Sequence, residues 1–161
     1  MGEYAAADGP LDATGMRIAV IVGRFNAHVS QPLLDGALGA FAELGLDATD
    51  VPVYWVPGAF EIPLVAKRLA SSGQVDAVVC LGAVIRGDTA HFEYVAGPCA
   101  YGVGQVGLET GVPVIFGVLT TENEQQALDR AGGSDGNKGD EAARTAVEMV
   151  TLLRTIENGK G

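Results

Sequence analysis

Apolar and polar residues alternate along this chain in blocks that predict a repeating strand–helix fold. Four short runs are almost wholly apolar and rich in β-branched residues, which is typical of strands buried on both faces of a sheet. These runs cover residues 16–22, 51–56, 75–84 and 112–120. The stretches between them carry apolar residues at helical spacing, so the pattern predicts helices that alternate with strands.

The helical stretches also carry boundary signals. In the first one, residues 30–45, Ser30 is a candidate N-cap, Pro32 lies in the first turn and Gly45 can end the helix. The other predicted helices cover residues 58–73, 91–111, 122–132 and 140–159, and a predicted loop covers residues 133–139. The order predicts an α/β single-domain three-layer sandwich, flavodoxin-like, with a four-stranded parallel sheet and helices on both faces.

Composition and charge narrow the class of protein. The chain has 161 residues, 48% of them apolar, which suits one domain with a real core. Its formal net charge of −10 argues against nucleic acid or an anionic membrane as partner. Residues 1–15 lack the basic start and apolar run of a secretory signal. We therefore expect a mobile N-terminal arm (1–15), one domain (16–161) and a cytoplasmic location.

The two cysteines and one glycine-rich motif of the chain indicate neither a metal site nor a dinucleotide site. Cys80 lies in a predicted strand and Cys99 in a predicted helix, so we expect buried thiols in a reducing compartment. We expect no metal site, because the sequence has no cluster of His and Cys at the spacing of a metal site. The motif "GVGQVG" (102–107) matches a dinucleotide fingerprint in spelling, but it lies inside a predicted helix, where small residues for close packing explain it better.

Polar residues follow the third predicted strand in the stretch "IRGDTAH" (85–91). A glycine at a strand end followed by a helix start leaves free N–H groups that can bind an anion. Thr89 adds a hydroxyl, and His91 can exchange protons near neutral pH. The alternatives are a helix N-cap for Thr89 and an ordinary exposed residue for His91. The sequence therefore predicts either a surface loop or a site for an anion and a proton transfer.

Other strand ends and loops supply further candidates, each with a structural alternative. Phe25 and Asn26 could hold a flat heteroaromatic ligand, or they could belong to a plain loop. Glu61 could accept hydrogen bonds from hydroxyls, or it could only stabilise the helix dipole. Arg130 and Lys138 could bind phosphate, or they could be solvated charges at a helix end.

Five blocks in register carry a resemblance to a known family. They read "VGRFN", "WVPGAFEIP", "CLGAVIRGDTAHFEYV", "GVLTTEN…QALDRAG" and "NKGDEAA". Together they resemble the lumazine synthase family, from about residue 15 to the C-terminal helix. The resemblance implies condensation of 5-amino-6-(D-ribitylamino)uracil with 3,4-dihydroxy-2-butanone 4-phosphate, without metal or redox cofactor.

The resemblance also implies roles for residues around the pyrimidine and the phosphate. Phe25 would stack on the pyrimidine, Asn26 would help hold it, and Val84 and Ile85 would present backbone groups to its edge. Gly87, Asp88 and Thr89 would bind the phosphate. Arg130 would form an ion pair with the phosphate, and His91 would carry protons. The carboxylate of Asp88 should point away from the phosphate.

The resemblance further implies a shared site and an assembly. Ala59 and Glu61 would bind the ribityl chain, while Phe116 and Lys138 match further ligand-facing positions. In this family the site lies between neighbouring subunits of a pentamer, so Phe116, Arg130 and Lys138 would come from the adjacent chain. Pentamers occur alone or as icosahedral shells of sixty chains, and riboflavin synthase is a candidate partner of a shell.

Three rival functions stay open at this point. An archaeal-type riboflavin synthase shares the fold, but "GAFEIP" and "RGDTAHFEYV" fit lumazine synthase better. A non-catalytic lumazine or flavin carrier would need the ring site without the anion seat and His91. A flavodoxin-type electron carrier would want a Ser/Thr-rich loop after the first strand, where this chain has "GRFN".

Overall fold

One parallel sheet organises the fold. The computed structural model describes residues 10–159. Its strands are β1 (Ile18–Gly23), β2 (Val53–Val56), β3 (Ala77–Ile85) and β4 (Val114–Thr121). All neighbours pair in parallel, in the order β2-β1-β3-β4. This confirms the predicted four-stranded sheet, and it brings the carboxyl ends of all four strands to one edge.

Helices cover both faces of this sheet, as predicted. On one face, α1 (Ala27–Glu43) and α5 (Lys138–Glu157) pack over alternate strand residues such as Val20 and Val22. On the other, α2 (Ile62–Ala70) and α3 (His91–Thr110) pack over Ile21. Successive strand residues point to opposite faces, so each strand feeds two separate apolar cores. The result is a three-layer sandwich. Within residues 10–159, no helix is long and apolar enough to cross a membrane.

The first helix begins earlier than predicted. It starts at Ala27, and Ser30 is fully buried within it instead of capping it. Asn26 precedes the helix in a left-handed conformation with φ of 62°, and its Nδ2 donates a 3.0 Å hydrogen bond to the carbonyl of Ala83. This contact between the ends of β1 and β3 sets the helix start, whereas the end near Gly45 agrees with the prediction.

A small hairpin replaces the loop predicted at 133–139 and shortens the helix predicted at 122–132. The helix α4 covers only Glu124–Asp129, and β5 (Ala131–Gly133) then pairs antiparallel with β6 (Gly136–Asn137). Gly132 and Gly136 have φ of 99° and 84°, a conformation that favours glycine. The hairpin leads directly into α5, which begins at Lys138 instead of the predicted residue 140.

The segment just before β1 packs on the domain. Residues 1–9 of the predicted N-terminal arm lie outside the described residues. Within the described part, Ala13 is fully buried, and its N–H donates a 2.8 Å hydrogen bond to the carbonyl of Leu44. Leu11 also packs against the core. The division at residue 15 between arm and domain stays a prediction.

The glycine-rich motif at 102–107 lies inside α3, as predicted. A Cβ on Gly102 would come within 2.7 Å of the Cβ of Pro63 in α2. The absence of a side chain therefore lets α3 approach α2 closely. This supports packing over dinucleotide binding as the reason for the motif.

Candidate functional site

The carboxyl ends of β1, β2 and β3 enclose a cleft of about 700 Å³, called here the His91 cleft. Nine of the predicted site residues line it: Phe25, Asn26, Ala59, Glu61, Val84, Ile85, Gly87, Thr89 and His91. Asp88 is exposed and does not line it. Residues from three loops that are far apart in the chain are thus gathered, because parallel strands end at the same edge.

Phe25 presents an aromatic face at the mouth of the His91 cleft. Its side chain is 72% exposed, and its N–H donates a 3.0 Å hydrogen bond to the carbonyl of Pro57. This bond and the neighbouring tie from Asn26 to Ala83 fix the loop that carries the ring. A fixed and exposed ring is suited to stacking on a flat ligand.

The turn between β3 and α3 has the features of an anion seat. Among the hydrogen bonds of the described residues, none has the N–H of Gly87, Asp88 or Thr89 as donor. These groups precede a helix of 20 residues, whose positive dipole end also favours an anion. Gly87 is exposed, with open space where a Cβ would be. The turn can therefore admit a ligand close to its backbone.

His91 begins α3 and lines the same cleft as this turn. Its main-chain N–H donates a 3.3 Å hydrogen bond to Oγ1 of Thr89, so Thr89 satisfies one of the free donors of the helix start. Ala90, and not Thr89, is the N-cap residue. The imidazole of His91 is exposed, so it can exchange protons with a ligand or with water.

Glu61 ends a single 3₁₀ turn (Ala59–Glu61) that leads into α2. Its carboxylate is exposed and lines the His91 cleft, close to the backbone of Gly58. Ala59 in the same turn is buried. The carboxylate can thus accept hydrogen bonds from hydroxyl groups of a ligand while it remains in a favourable position at a helix start.

A second cleft of about 620 Å³, called here the Arg130 cleft, holds the remaining predicted residues. It is lined by Phe116 on the outer strand β4 and by Arg130 and Lys138 at the two ends of the hairpin. The two clefts have no lining residue in common. A single chain therefore presents the predicted residues as two separate groups.

The two cations of the Arg130 cleft are held in different ways. Nη1 of Arg130 donates a 2.9 Å hydrogen bond to the carbonyl of Gln126 and lies 3.4 Å from Oδ2 of Asp135. Lys138 forms an ion pair with Glu141, and its side chain is only 16% exposed. Arg130 is the more accessible cation, with donors free for an anion, whereas Lys138 is largely committed to its own carboxylate.

Sequence reasoning missed several lining residues and one charged group. Three aromatic side chains, those of Phe60, Phe92 and Tyr94, line the His91 cleft. The spacing of Tyr94 from His91 along one helix face is a signal that could have indicated it. Arg86 was not assigned a role, yet its guanidinium binds Glu93 and Glu122 together. The hydrogen bond from Arg86 lowers the pKa of Glu93, so this carboxylate stays charged at neutral pH.

Residues 15–154 match the sequence model of the 6,7-dimethyl-8-ribityllumazine synthase family. The chain belongs to this family. It is also 60% identical over 146 residues to the 6,7-dimethyl-8-ribityllumazine synthases of two strains of Thermus thermophilus. The alignment covers 91% of this chain and 93% of each relative. These comparisons confirm the resemblance seen in the five sequence blocks.

The lumazine synthase match includes both clefts, since Phe25 and Lys138 lie within the matched range. His28, for which the sequence indicated no role, contacts Glu124 through its Nε2, outside the lining of either cleft. No group of three or more His, Cys, Asp or Glu residues within the described part of the chain could hold a metal ion.

Both cysteines of the chain are free and buried, which confirms the expected buried thiols. Burial raises the pKa of Cys99 to about 11, and burial together with the neighbouring Cys99 raises the pKa of Cys80 further. A thiol with a raised pKa is a poor nucleophile. The chemistry of the clefts therefore falls to other residues.

Proposed function

We propose that this chain condenses 5-amino-6-(D-ribitylamino)uracil with 3,4-dihydroxy-2-butanone 4-phosphate to 6,7-dimethyl-8-ribityllumazine, with release of phosphate and water, in riboflavin biosynthesis. The family and the curated relatives support this transferase activity. One structural observation carries the site. A single cleft combines an exposed aromatic ring, free N–H groups at a helix start and a histidine beside them.

The pyrimidine would stack on Phe25, whose exposed ring stands at the cleft mouth. The backbone of Val84 and Ile85 at the end of β3 would bind the pyrimidine edge. Nδ2 of Asn26 is already bound to Ala83, so Asn26 would contact the ligand through its Oδ1 and would also keep Phe25 in place. Recognition of a flat heterocycle by one stacked ring and a few backbone groups is common in small-molecule sites.

The ribityl chain would extend toward the turn at Ala59 and Glu61. Its hydroxyls would donate hydrogen bonds to the exposed carboxylate of Glu61. A carboxylate that accepts several hydroxyl donors distinguishes a ribityl chain from an apolar substituent, because the apolar group would leave it without partners.

The phosphate would sit on the N–H groups of Gly87, Asp88 and Thr89. Asp88 is exposed and does not line the cleft, so its carboxylate would point away from the phosphate while its N–H lies between those of Gly87 and Thr89 along the chain. Arg130 of an adjacent chain would complete the seat by a charge-assisted hydrogen bond. Such local donors are needed because the net charge of the chain, −10, would otherwise repel the phosphate.

The reaction requires orientation and proton transfers. The 5-amino group would attack the ketone to form an imine with loss of water. Removal of the neighbouring C–H proton would then expel phosphate and leave an enol, which would tautomerise to a second ketone. Attack of the ribitylamino nitrogen on that ketone would close the ring with loss of a second water. Orientation can supply effective molarities of roughly 10⁵–10⁸ M, whereas a positioned acid or base supplies roughly 10²–10⁴-fold. His91 would carry the protons, and substrate orientation would supply more of the rate.

The assembly proposed is a cytoplasmic homo-pentamer in which the His91 cleft of each chain meets the Arg130 cleft of its neighbour. The separation of the predicted residues into two clefts supports such a shared site. Twelve pentamers would form an icosahedral shell of sixty chains, with riboflavin synthase as the candidate partner. Light scattering on the purified protein separates a pentamer from a shell.

Incubation of the protein with both substrates tests the activity. Lumazine absorbance and fluorescence should rise well above the rate without enzyme. No increase would overturn the proposal. Riboflavin formed from added lumazine would identify an archaeal-type riboflavin synthase instead, and lumazine binding without turnover would identify a carrier.

Complementation tests the shared site. His91→Ala damages one cleft and Arg130→Ala the other, so each variant alone should be slow. If the two are co-expressed in equal amounts, about a quarter of the sites would pair two intact clefts, and the rate should recover accordingly. Separately assembled variants, mixed afterwards, serve as the control. A co-expressed sample no faster than this control would contradict a site shared between chains.

A further inference from the structure

A chain of polar contacts runs from the start of α3, beside the His91 cleft, to the Arg130 cleft of the same subunit. At its centre lies Arg86, directly after the end of β3. Its Nε donates a 2.7 Å hydrogen bond to Oε2 of Glu122, and its Nη1 binds the carboxylate of Glu93. Its guanidinium also lies over the ring of Phe92, 4.3 Å from the centroid. Two ion pairs and one cation–π contact thus fix the side chain of Arg86.

One end of this chain leads to the His91 cleft. Glu93 lies in the first turn of α3, two residues after His91. Arg86 itself immediately precedes Gly87, the first residue of the anion seat. Its own N–H donates a 2.9 Å hydrogen bond to the carbonyl of Thr121 in β4, which fixes the backbone where the seat begins. The seat is therefore held at both ends, by the backbone of Arg86 and by its side chain on α3.

The other end leads to the Arg130 cleft. Glu122 follows Thr121, which lines that cleft. The N–H of Glu122 donates a 2.8 Å hydrogen bond to Oε1 of Gln126, and the carbonyl of Gln126 accepts the 2.9 Å hydrogen bond from Nη1 of Arg130. A change in the position of Glu122 would therefore move Gln126, whose carbonyl orients Arg130.

The charges show why Arg86 is not itself a phosphate ligand. One guanidinium faces two carboxylates, so its charge is already more than balanced. Its Nε and one terminal nitrogen are used, and its face is covered by Phe92. A phosphate on Arg86 would also approach the carboxylates of Glu93 and Glu122, which would repel it. Arg86 is therefore a structural cation that bridges the carboxylates of Glu93 and Glu122.

We propose that Arg86 is a positioning residue for the phosphate-bearing substrate. It aligns the anion seat of its own chain. Through Glu122 and Gln126 it also aligns the guanidinium of Arg130, which serves the neighbouring site. This inference rests on the proposed function. Each chain would then set two phosphate contacts at once, one in each of the two sites that it helps to form.

Steady-state kinetics of Arg86→Gln, Arg86→Lys and Arg154→Gln test this inference. Arg154 is a matched control, because it is an exposed arginine paired with Asp76 and lines neither cleft. Arg86→Gln should raise the KM for the butanone phosphate about tenfold, as expected for lost charge-assisted hydrogen bonds. The KM for the ribitylaminouracil should change less than about twofold.

Arg86→Lys should recover part of this loss, because an ammonium group retains the charge but lacks the two-armed geometry that reaches both carboxylates. Arg154→Gln should leave both KM values unchanged. If Arg86→Gln leaves the KM for the phosphate substrate unchanged, or raises both KM values equally, the positioning role is wrong. Glu122→Gln, a milder change, gives the same information if Arg86→Gln does not fold.

A double-mutant cycle tests the connection through Glu122. The combined Arg86→Gln and Glu122→Gln variant should bind the phosphate substrate about as weakly as Arg86→Gln alone, because both changes break one contact. If the two substitutions instead raised the KM for the phosphate substrate by fully additive amounts of free energy, the connection from Arg86 through Glu122 would be contradicted. Titration of inorganic phosphate provides a readout without turnover, and its Kd should also rise in Arg86→Gln.

These measurements separate the two proposals. A wild-type protein that makes no lumazine would overturn the proposed function, while the inorganic phosphate titration would still test Arg86. An active wild-type protein whose Arg86→Gln variant binds phosphate as tightly would overturn only the role of Arg86.

Discussion

The N–H of Lys138 donates a 2.9 Å hydrogen bond to the carbonyl of Arg130, which closes the hairpin between α4 and α5. This bond brings together the backbones of the two residues that supply the cations of the Arg130 cleft. Asn137 anchors the hairpin from within. Its Oδ1 accepts hydrogen bonds from the N–H groups of Gly139 and Asp140, and its Nδ2 donates one of 3.0 Å to the carbonyl of Pro32 in α1.

Substitutions of Asn137 should separate its two contacts. Asn137→Ala loses the helix cap and the tie to Pro32, which should lower the free energy of unfolding by about 2 kcal/mol. Asn137→Ser keeps a capping oxygen but is too short to reach Pro32, so it should lose about half as much. Urea denaturation of both variants and the wild type at one protein concentration measures the two losses in the free energy of unfolding. Equal losses in the two variants would show that the tie to Pro32 alone matters.

Arg130 and His91 should affect different kinetic constants. Arg130→Ala removes the proposed charged hydrogen-bond donor to the phosphate, so the KM for the butanone phosphate should rise about 10- to 100-fold. His91→Ala should instead lower kcat, by no more than the roughly 10²–10⁴-fold that a positioned acid or base supplies. An Arg130→Ala variant with an unchanged KM for the phosphate substrate would show that the assignment of Arg130 is wrong.

Two glycines of α3 provide a matched test of helix packing. A Cβ on Gly102 would lie 2.7 Å from the Cβ and 2.8 Å from the Cγ of Pro63, whereas a Cβ on Gly104 meets nothing within 4 Å. Gly102→Ala should therefore destabilise the protein by roughly 1–3 kcal/mol. Gly104→Ala should stabilise it by up to about 1 kcal/mol, since alanine favours a helix. Thermal unfolding at equal protein concentration compares the stabilities of the two variants. A Gly102→Ala variant as stable as the wild type would contradict the close contact between Gly102 and Pro63.

Asp76 should make stability depend on pH in the acid range. Burial would raise the pKa of Asp76, but hydrogen bonds from the side chain and the N–H of Arg17, and the charges of Arg17 and Arg154, lower it below its usual value. The native state therefore favours the charged carboxylate. This contribution to stability is complete above the unfolded pKa of about 3.9 and is lost as the pH falls through the lower native pKa.

Asp76→Asn should reveal this dependence. At pH 7 the variant should be less stable than the wild type by about 1 kcal/mol, because Arg17 and Arg154 lose a charged acceptor. Below about pH 4 the difference should shrink, since the carboxyl of the unfolded wild type then takes up a proton, and the native carboxyl follows only at a lower pH. Denaturation at about pH 7 and about pH 3 measures it. A difference that stays constant between the two pH values would rule out the ionic role of Asp76.

The sequence predicted the sheet well because each strand is a continuous apolar run. All four strands begin and end within two residues of the predicted limits. Once the strands are parallel, their carboxyl ends must meet, so distant residues such as Phe25, Glu61 and His91 could be expected in one place. This part of the candidate site follows from local pattern and topology together.

The features that the sequence did not predict depend on contacts between distant residues. The start of α1 depends on the bond from Asn26 to Ala83, which no local signal shows, so Ser30 looked like the better cap. Arg86 is separated from Glu122 by 36 positions, and only the pairing of β3 with β4 brings them together. Such partners become visible only after the chain is folded.

The burial of Cys80 and Cys99 has a practical consequence for spectroscopy. Because both thiols are shielded and have raised pKa values, a maleimide dye at neutral pH should leave the native chain unlabelled. A cysteine introduced at the exposed hairpin position Ser134 would then be the one reactive thiol, with no need to replace the native pair. Donor- and acceptor-labelled batches of that variant would report, by energy transfer, how fast subunits exchange between the proposed assemblies.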